Sequence, residues 1–154
     1  MEKFNFDNKE VTPEWLTSIL EKNGFLYKGR VISIEQKIAF PLIISDIFSL
    51  KINYSPESSG HLPSKILMKL NKPQFSDMGI KEAIFYGSVM KSNISLPLLT
   101  CYGIEKSHEY KQCCILFEDL TDTHYQIELN VLPTQEQYKM AIWGPRGRPL
   151  YIDI

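Results

Sequence analysis

Ser64-Lys65-Ile66-Leu67-Met68-Lys69-Leu70 stands between Pro63 and Asn71-Lys72-Pro73, and is followed by Met78-Gly79-Ile80-Lys81-Glu82-Ala83-Ile84-Phe85-Tyr86-Gly87-Ser88-Val89-Met90. The first run reads as a short strand. Its side chains alternate between faces, Ile66, Met68 and Leu70 on one and Leu67 and Lys69 on the other. The second reads as a helix, because Glu82, Phe85, Tyr86, Val89 and Met90 follow the i, i+3, i+4, i+7, i+8 spacing of one buried stripe. Each element thus carries a charge where an apolar residue is expected: Lys69 in the strand, Glu82 at the head of the stripe. A carboxylate facing inward has to be paired or lie near an opening, since burying a lone charge is very costly. Lys69 is the nearest partner in the sequence. The alternative for both is a solvated charge, Lys69 on the wet face of a half-buried strand and Glu82 on the outer face of its helix.

The remaining composition narrows the classes. With 154 residues, 44% apolar and 23% charged, the chain has the size and balance of one soluble domain with a substantial core. A formal net charge of −1 gives no global field for nucleic acid or an anionic membrane. Only Arg30, Arg146 and Arg148 are arginines, and the lysines are dispersed. No apolar run reaches the ~18–20 residues of a membrane span, and Met1-Glu2-Lys3-Phe4-Asn5 has no signal-peptide core. Cys101, Cys113 and Cys114 lack metal spacing and are odd in number, which points to a reducing cytoplasm. His61, His108 and His124 form no ligand motif and read as surface or loop residues.

Residues 1–11 are polar and expected to be flexible. Thr12-Pro13-Glu14 starts a helix, with Thr12 as cap, Pro13 at the first position and Glu14 favourable to the dipole. Its apolar stripe is Trp15, Leu16, Ile19 and Leu20, and Asn23-Gly24 ends it. From Arg30 to Tyr54 the pattern is β. Val31, Ile32 and Ile34 begin one strand; Phe48, Leu50, Ile52 and Tyr54 share a face of the next, with Ala39–Asp46 between them. Ser55–Pro63 is a loop. A strand near Leu98–Ile104, a polar turn at Glu105–Glu109 and a strand at Cys113–Phe117 follow. The last ends abruptly in Glu118-Asp119-Leu120-Thr121-Asp122. Thr134 and Gln137 have capping-box spacing for a final helix through Ile142, cut short by the glycines and prolines from Gly144 to Pro149.

Taken in order, “LPSKILMKL”, “KEAIFYGSVM”, “LPLLTCYGI”, “CCILFEDL” and “LPTQEQYKMAI”, behind an N-terminal helix and a hairpin, resemble the N-terminal half of the ecdysteroid kinase-like (CHK kinase-like) group. That group lies within the aminoglycoside and choline phosphotransferases. The resemblance covers about residues 11–142. It implies an α+β fold of protein-kinase-like N-lobe type: an antiparallel sheet of about five strands, the Glu82 helix on one face, and an extra N-terminal helix. The organisation expected is a flexible 1–11, a lobe over 12–142 and an atypical tail over 143–154.

Members of the group are ATP- and magnesium-dependent kinases of small-molecule hydroxyl groups. By that resemblance Lys69 holds the α/β-phosphates and Glu82 orients it. Ser45 lies in the phosphate loop, and Glu118, Asp119 and Leu120 line the adenine hinge. Three departures stand against this. The Ala39–Asp46 turn has no glycine to let backbone N–H groups approach phosphates. The His-Gly-Asp…Asn loop and the magnesium aspartate are missing, since His124 is followed by Tyr125-Gln126 and Asp153 lies in “YIDI”. The tail from Trp143 also leaves the family pattern. The expectation is therefore the ATP-binding half of a small-molecule kinase, truncated before its catalytic lobe and inactive alone, with no metal ligand, nucleic acid or membrane partner. The acceptor would be bound only with the missing lobe present. The alternative is a non-catalytic binding or regulatory module derived from such a lobe. A protein partner would then cover Leu120, Ile127, Leu129, Val131, Leu132 and Tyr138.

Overall fold

One antiparallel sheet, covered by a helix on each face, carries the two apolar clusters found among the described residues. The computed structural model describes residues 3–92, 98–123, 132 and 134–136. The elements are α1 (Pro13–Lys22), β1 (Leu26–Lys28), β2 (Val31–Pro41), β3 (Ser45–Tyr54), β4 (Ser59–Gly60), β5 (Lys65–Asn71), a 3-10 turn (Pro73–Phe75), α2 (Ser76–Lys91), β6 (Cys101–Ser107) and β7 (Gln112–Glu118). Five strands pair in the order β2-β3-β5-β7-β6, every pair antiparallel, while β1 and β4 form a small separate ribbon. The α+β class, the five strands and the two helices agree with expectation. β7 is interior because Cys113–Phe117 is apolar without alternation, the pattern of a strand covered on both faces.

The first face packs under α1. The Thr12 hydroxyl accepts the Trp15 N–H at 3.1 Å, and Asn23 and then Gly24, at φ +74°, close the helix as expected. Trp15, Leu16, Ile19 and Leu20 are buried in one cluster with Phe48, Leu50 and Ile52 of β3 and Ile66, Met68 and Leu70 of β5. Gly103 on β6 leaves room for Ile19, whose Cγ2 occupies the place a side chain there would need. The segment before α1 is packed rather than loose. Phe4, Phe6 and Val11 are buried in the same cluster. The Phe4 N–H and the Trp15 indole N–H donate to the two oxygens of Glu105, at 3.0 and 2.5 Å. Gln36 bonds Val11 N–H and the Lys9 carbonyl, at 3.0 and 2.7 Å. Two aromatic residues in an otherwise polar segment supply enough apolar area to hold it down.

The second face packs under α2. Ala83 is buried with Cys101, Cys113, Ile115 and Phe117, and Leu67, Ile80, Tyr86, Met90 and Ile104 close around them. The inward stripe is therefore Gly79, Ala83, Tyr86 and Met90. Glu82 sits on its flank, and Phe85 is 47% exposed. β6 continues through Ser107, so the polar turn falls at 108–111, with Lys111 at φ +53°. Among the described residues no helix is long and apolar enough to cross a membrane.

The chain divides into two units at Asp119. In the second, Thr123 turns back to bond the Leu120 carbonyl at 3.0 Å, Leu132 is exposed, and Gln135 and Glu136 are helical where a helix start was expected. His124, Ile127, Leu129, Val131, Tyr138, the helix to Ile142 and the tail 143–154 lie outside the described residues.

Candidate functional site

Lys69 occupies the middle of β5, the third strand of the large sheet in chain order. In register it is flanked by Ile47 of β3 and Ile115 of β7, both buried. Strand alternation turns it toward α2, and its Nζ donates to Glu82 Oε1 at 2.7 Å. The side chains remain 20% and 29% exposed, so the pair lies at the margin of the core and not within it. A hydrogen bond between charged groups in such a setting contributes about 1.5–3 kcal/mol. An ammonium has three donors, and among the described residues Glu82 is the one partner of this one. The arrangement fixes a lysine in place and leaves donors over for an anion.

What brings Glu82 over Lys69 is a contact one step further along both elements. Gly79 sits directly on the Asn71 side chain, where a Cβ would come within 2.5 Å of Asn71 Cγ. Asn71 itself is held firmly. Its Oδ1 accepts the Cys113 N–H at 2.5 Å, its Nδ2 donates to the Lys72 and Lys111 carbonyls at 3.0 and 3.2 Å, and its carbonyl accepts from Gln112 at 2.8 Å. Two residues along the strand and three along the helix lead from that contact to the Lys69–Glu82 bond. Asn71 and Gly79 are positioning residues that sequence reasoning missed. The available signal was a glycine inside a helix, which costs ~1 kcal/mol relative to alanine and calls for a packing reason.

Ser45 is not where the resemblance put it. It is fully buried as the first residue of β3, in register with Asn71, and its hydroxyl has no hydrogen-bond partner among the described residues. The turn lies just before it, at Leu42–Ile44, with Ile43 84% exposed. There Lys72 takes up backbone carbonyls, its N–H bonding Ile44 at 2.9 Å and its Nζ bonding Leu42 at 2.8 Å. Asp46 lies between two lysines, 3.3 Å from Lys9 and 3.9 Å from Lys72. This turn offers carbonyls and aliphatic side chains, the opposite of a glycine-rich phosphate cradle.

At the far end of the strands, Glu118 closes β7 opposite Ile66. That is three residues from the Lys69–Ile115 pair, or about 10 Å along the sheet. Its N–H donates to the Thr100 carbonyl at 2.8 Å, and its carboxylate accepts from the Thr100 hydroxyl at 3.0 Å. Glu118 and Asp119 are partly buried, and the Leu120 carbonyl is engaged by Thr123. The structure thus joins Lys69 to Glu82 and places Ser45 and Glu118 away from that pair; Asp119 ends the first unit and Leu120 opens the second.

Around Glu82 the environment is apolar. Burial pushes the Tyr86 phenol and the Cys113 thiol above their ordinary pKa, and the Glu82 charge adds to both shifts. Burial likewise lifts Cys101 to about 11 and Cys114 well above 9. All three cysteines are free and buried, and remain protonated, unreactive thiols at neutral pH. Among the described residues no three His, Cys, Asp or Glu side chains converge to hold a metal ion. His61 and His108 are exposed. Comparisons with family models, with curated proteins and with solved structures find no match to this chain.

Proposed function

We propose that this chain is the ATP-binding half of a cytoplasmic small-molecule kinase, contributing a phosphate-holding lysine. The observation that carries the reading is the 2.7 Å bond between Lys69 on the third strand of the sheet and Glu82 on the helix that follows. In protein kinases a strand lysine held by a helix glutamate contacts the ATP phosphates. Lys69 fits that role: it is fixed, partly accessible and has spare donors. The Leu42–Ile44 turn and buried Ser45 do not fit the phosphate loop, so binding would rest on the lysine and the strand end at Glu118 and Asp119. Phosphoryl transfer also needs a positioned aspartate and magnesium carboxylates, which the sequence motifs lack.

The poor fit of the turn is the specific observation that favours a second reading, a non-catalytic binding or regulatory module. Titration with a fluorescent ATP analogue separates the two. The first reading expects saturable binding, weakened about tenfold or more in Lys69→Met through loss of a charged contact of about 1.5–3 kcal/mol. Glu82→Gln, which leaves the ammonium in place but loosely held, should fall between. Binding that does not saturate, or that Lys69→Met leaves unchanged in a folded variant, refutes nucleotide binding at this site and leaves the second reading.

A further inference from the structure

A cleft of about 900 Å³ lies between the amino-terminal half of α2 and the β6–β7 turn, on residues that the Lys69–Glu82 pair does not use. Its apolar wall is Phe75, Met78, Ile80 and Ile84, and Lys106 and Lys111 stand on its other side. Met78 and Ile84 are each 54% exposed, an uneconomical placement for aliphatic side chains unless something covers them. Lys106 and Lys111 are exposed, and neither is paired with a carboxylate among the described residues. Asp77 is the one carboxylate among the described lining residues, set against Lys106 and Lys111, so the cleft's field is positive.

We propose that this cleft docks an acidic peptide segment carrying aliphatic or aromatic side chains. Charge complementarity selects the acid: two unpaired lysines beside an apolar wall match carboxylates alternating with apolar groups. Shape selects a peptide. From Phe75 to Ile84 the wall extends nine helical residues, about 14 Å at the helix rise, the length of roughly four extended residues. A small amphipathic acid would fill one end of it. The contact is smaller than a stable protein interface, so the affinity expected is modest, on the order of 10–100 μM.

The test uses the full chain, isotope-labelled, titrated with the peptide acetyl-Asp-Phe-Glu-Asp-Leu-Phe-amide and followed by the methyl signals of Ile80 and Ile84. The expected result is saturable shifts of those methyls. The affinity should drop about tenfold in the Lys106→Glu, Lys111→Glu double variant and in Ile84→Asp, and should fall with added salt. A counterpart peptide with lysines for the acids should not bind. Urea unfolding of each variant confirms its fold; the charge reversals sit at exposed positions and keep the test sound should Ile84→Asp fail to fold. Four outcomes overturn the proposal: no saturable shift, equal binding of the basic peptide, an affinity indifferent to charge reversal, or octanoate saturating the same signals more tightly than the peptide.

Discussion

Replacing Gly79 by alanine should destabilise the protein although it improves the local helix propensity. A methyl at this position would lie 2.5 Å from Asn71 Cγ, 2.6 Å from Oδ1 and 2.9 Å from Cβ. Carbon contacts are most favourable near 3.5–4.0 Å, so about 1 Å of movement is required. Asn71 cannot yield without giving up bonds to the Cys113 N–H and the Lys72 and Lys111 carbonyls. Overpacking of this kind costs about 1–3 kcal/mol, and one lost buried hydrogen bond about 1 kcal/mol more. Against that, Gly→Ala in a helix interior returns about 1 kcal/mol. The net expectation is a loss of about 1–3 kcal/mol. Gly87, in the same helix, is the internal control. Its added methyl would meet only the Ile104 Cδ1, at an ordinary 3.8 Å, and Gly87→Ala should therefore gain up to about 1 kcal/mol. Urea unfolding followed by far-ultraviolet circular dichroism measures both. Should Gly79→Ala prove as stable as Gly87→Ala, the Asn71–Gly79 contact does not set the height of α2 above the sheet.

Glu105→Ala removes the acceptor for both the Phe4 N–H and the Trp15 indole N–H, and should cost about 2–3 kcal/mol in urea unfolding. Glu105→Gln, which keeps the shape and one acceptor oxygen, should cost less than half of that, and two variants indistinguishable from the parent would contradict the role given to Glu105. Stability should also fall at alkaline pH. Cys101 is lifted from 9.0 to about 11, with Cys113, Cys114 and Tyr86 lifted by burial too. As pH rises the unfolded chain loses these protons first, so the native state binds more protons and stability drops with pH through this window. Cys101 alone accounts for roughly 3 kcal/mol; a stability that is flat or rising from pH 9 to 11 would be incompatible with its burial as a protonated thiol.

The parts of the fold visible in the sequence are those in which one residue type fixes a local geometry. Thr12-Pro13 and Asn23-Gly24 delimit α1 because caps satisfy particular backbone groups. Ile66, Met68 and Leu70 are all fully buried because alternation cannot drift along a strand. Lys69 and Glu82 were legible as a pair for the same reason: a charge among apolar residues needs a partner. What escaped was phase and depth. The spacing of large residues marks one stripe of α2, whereas the helix approaches the sheet through Gly79 and Ala83, which a hydrophobicity pattern scarcely weighs. Phe85 consequently points outward. The resemblance sets Ser45 in the phosphate loop, but cross-strand register begins β3 one residue after Ile44 and carries the serine inside. In the N-terminal segment two buried phenylalanines, Phe4 and Phe6, outweigh the polar majority.

The two helices are anchored with unequal strength. α1 buries four large side chains, while the fully buried residues of α2 are a glycine and an alanine. Structure opens locally where buried apolar contact is least, at free energies below that of global unfolding. By that rule α2 is expected to open at a lower free energy than α1, and such an opening would part Glu82 from Lys69.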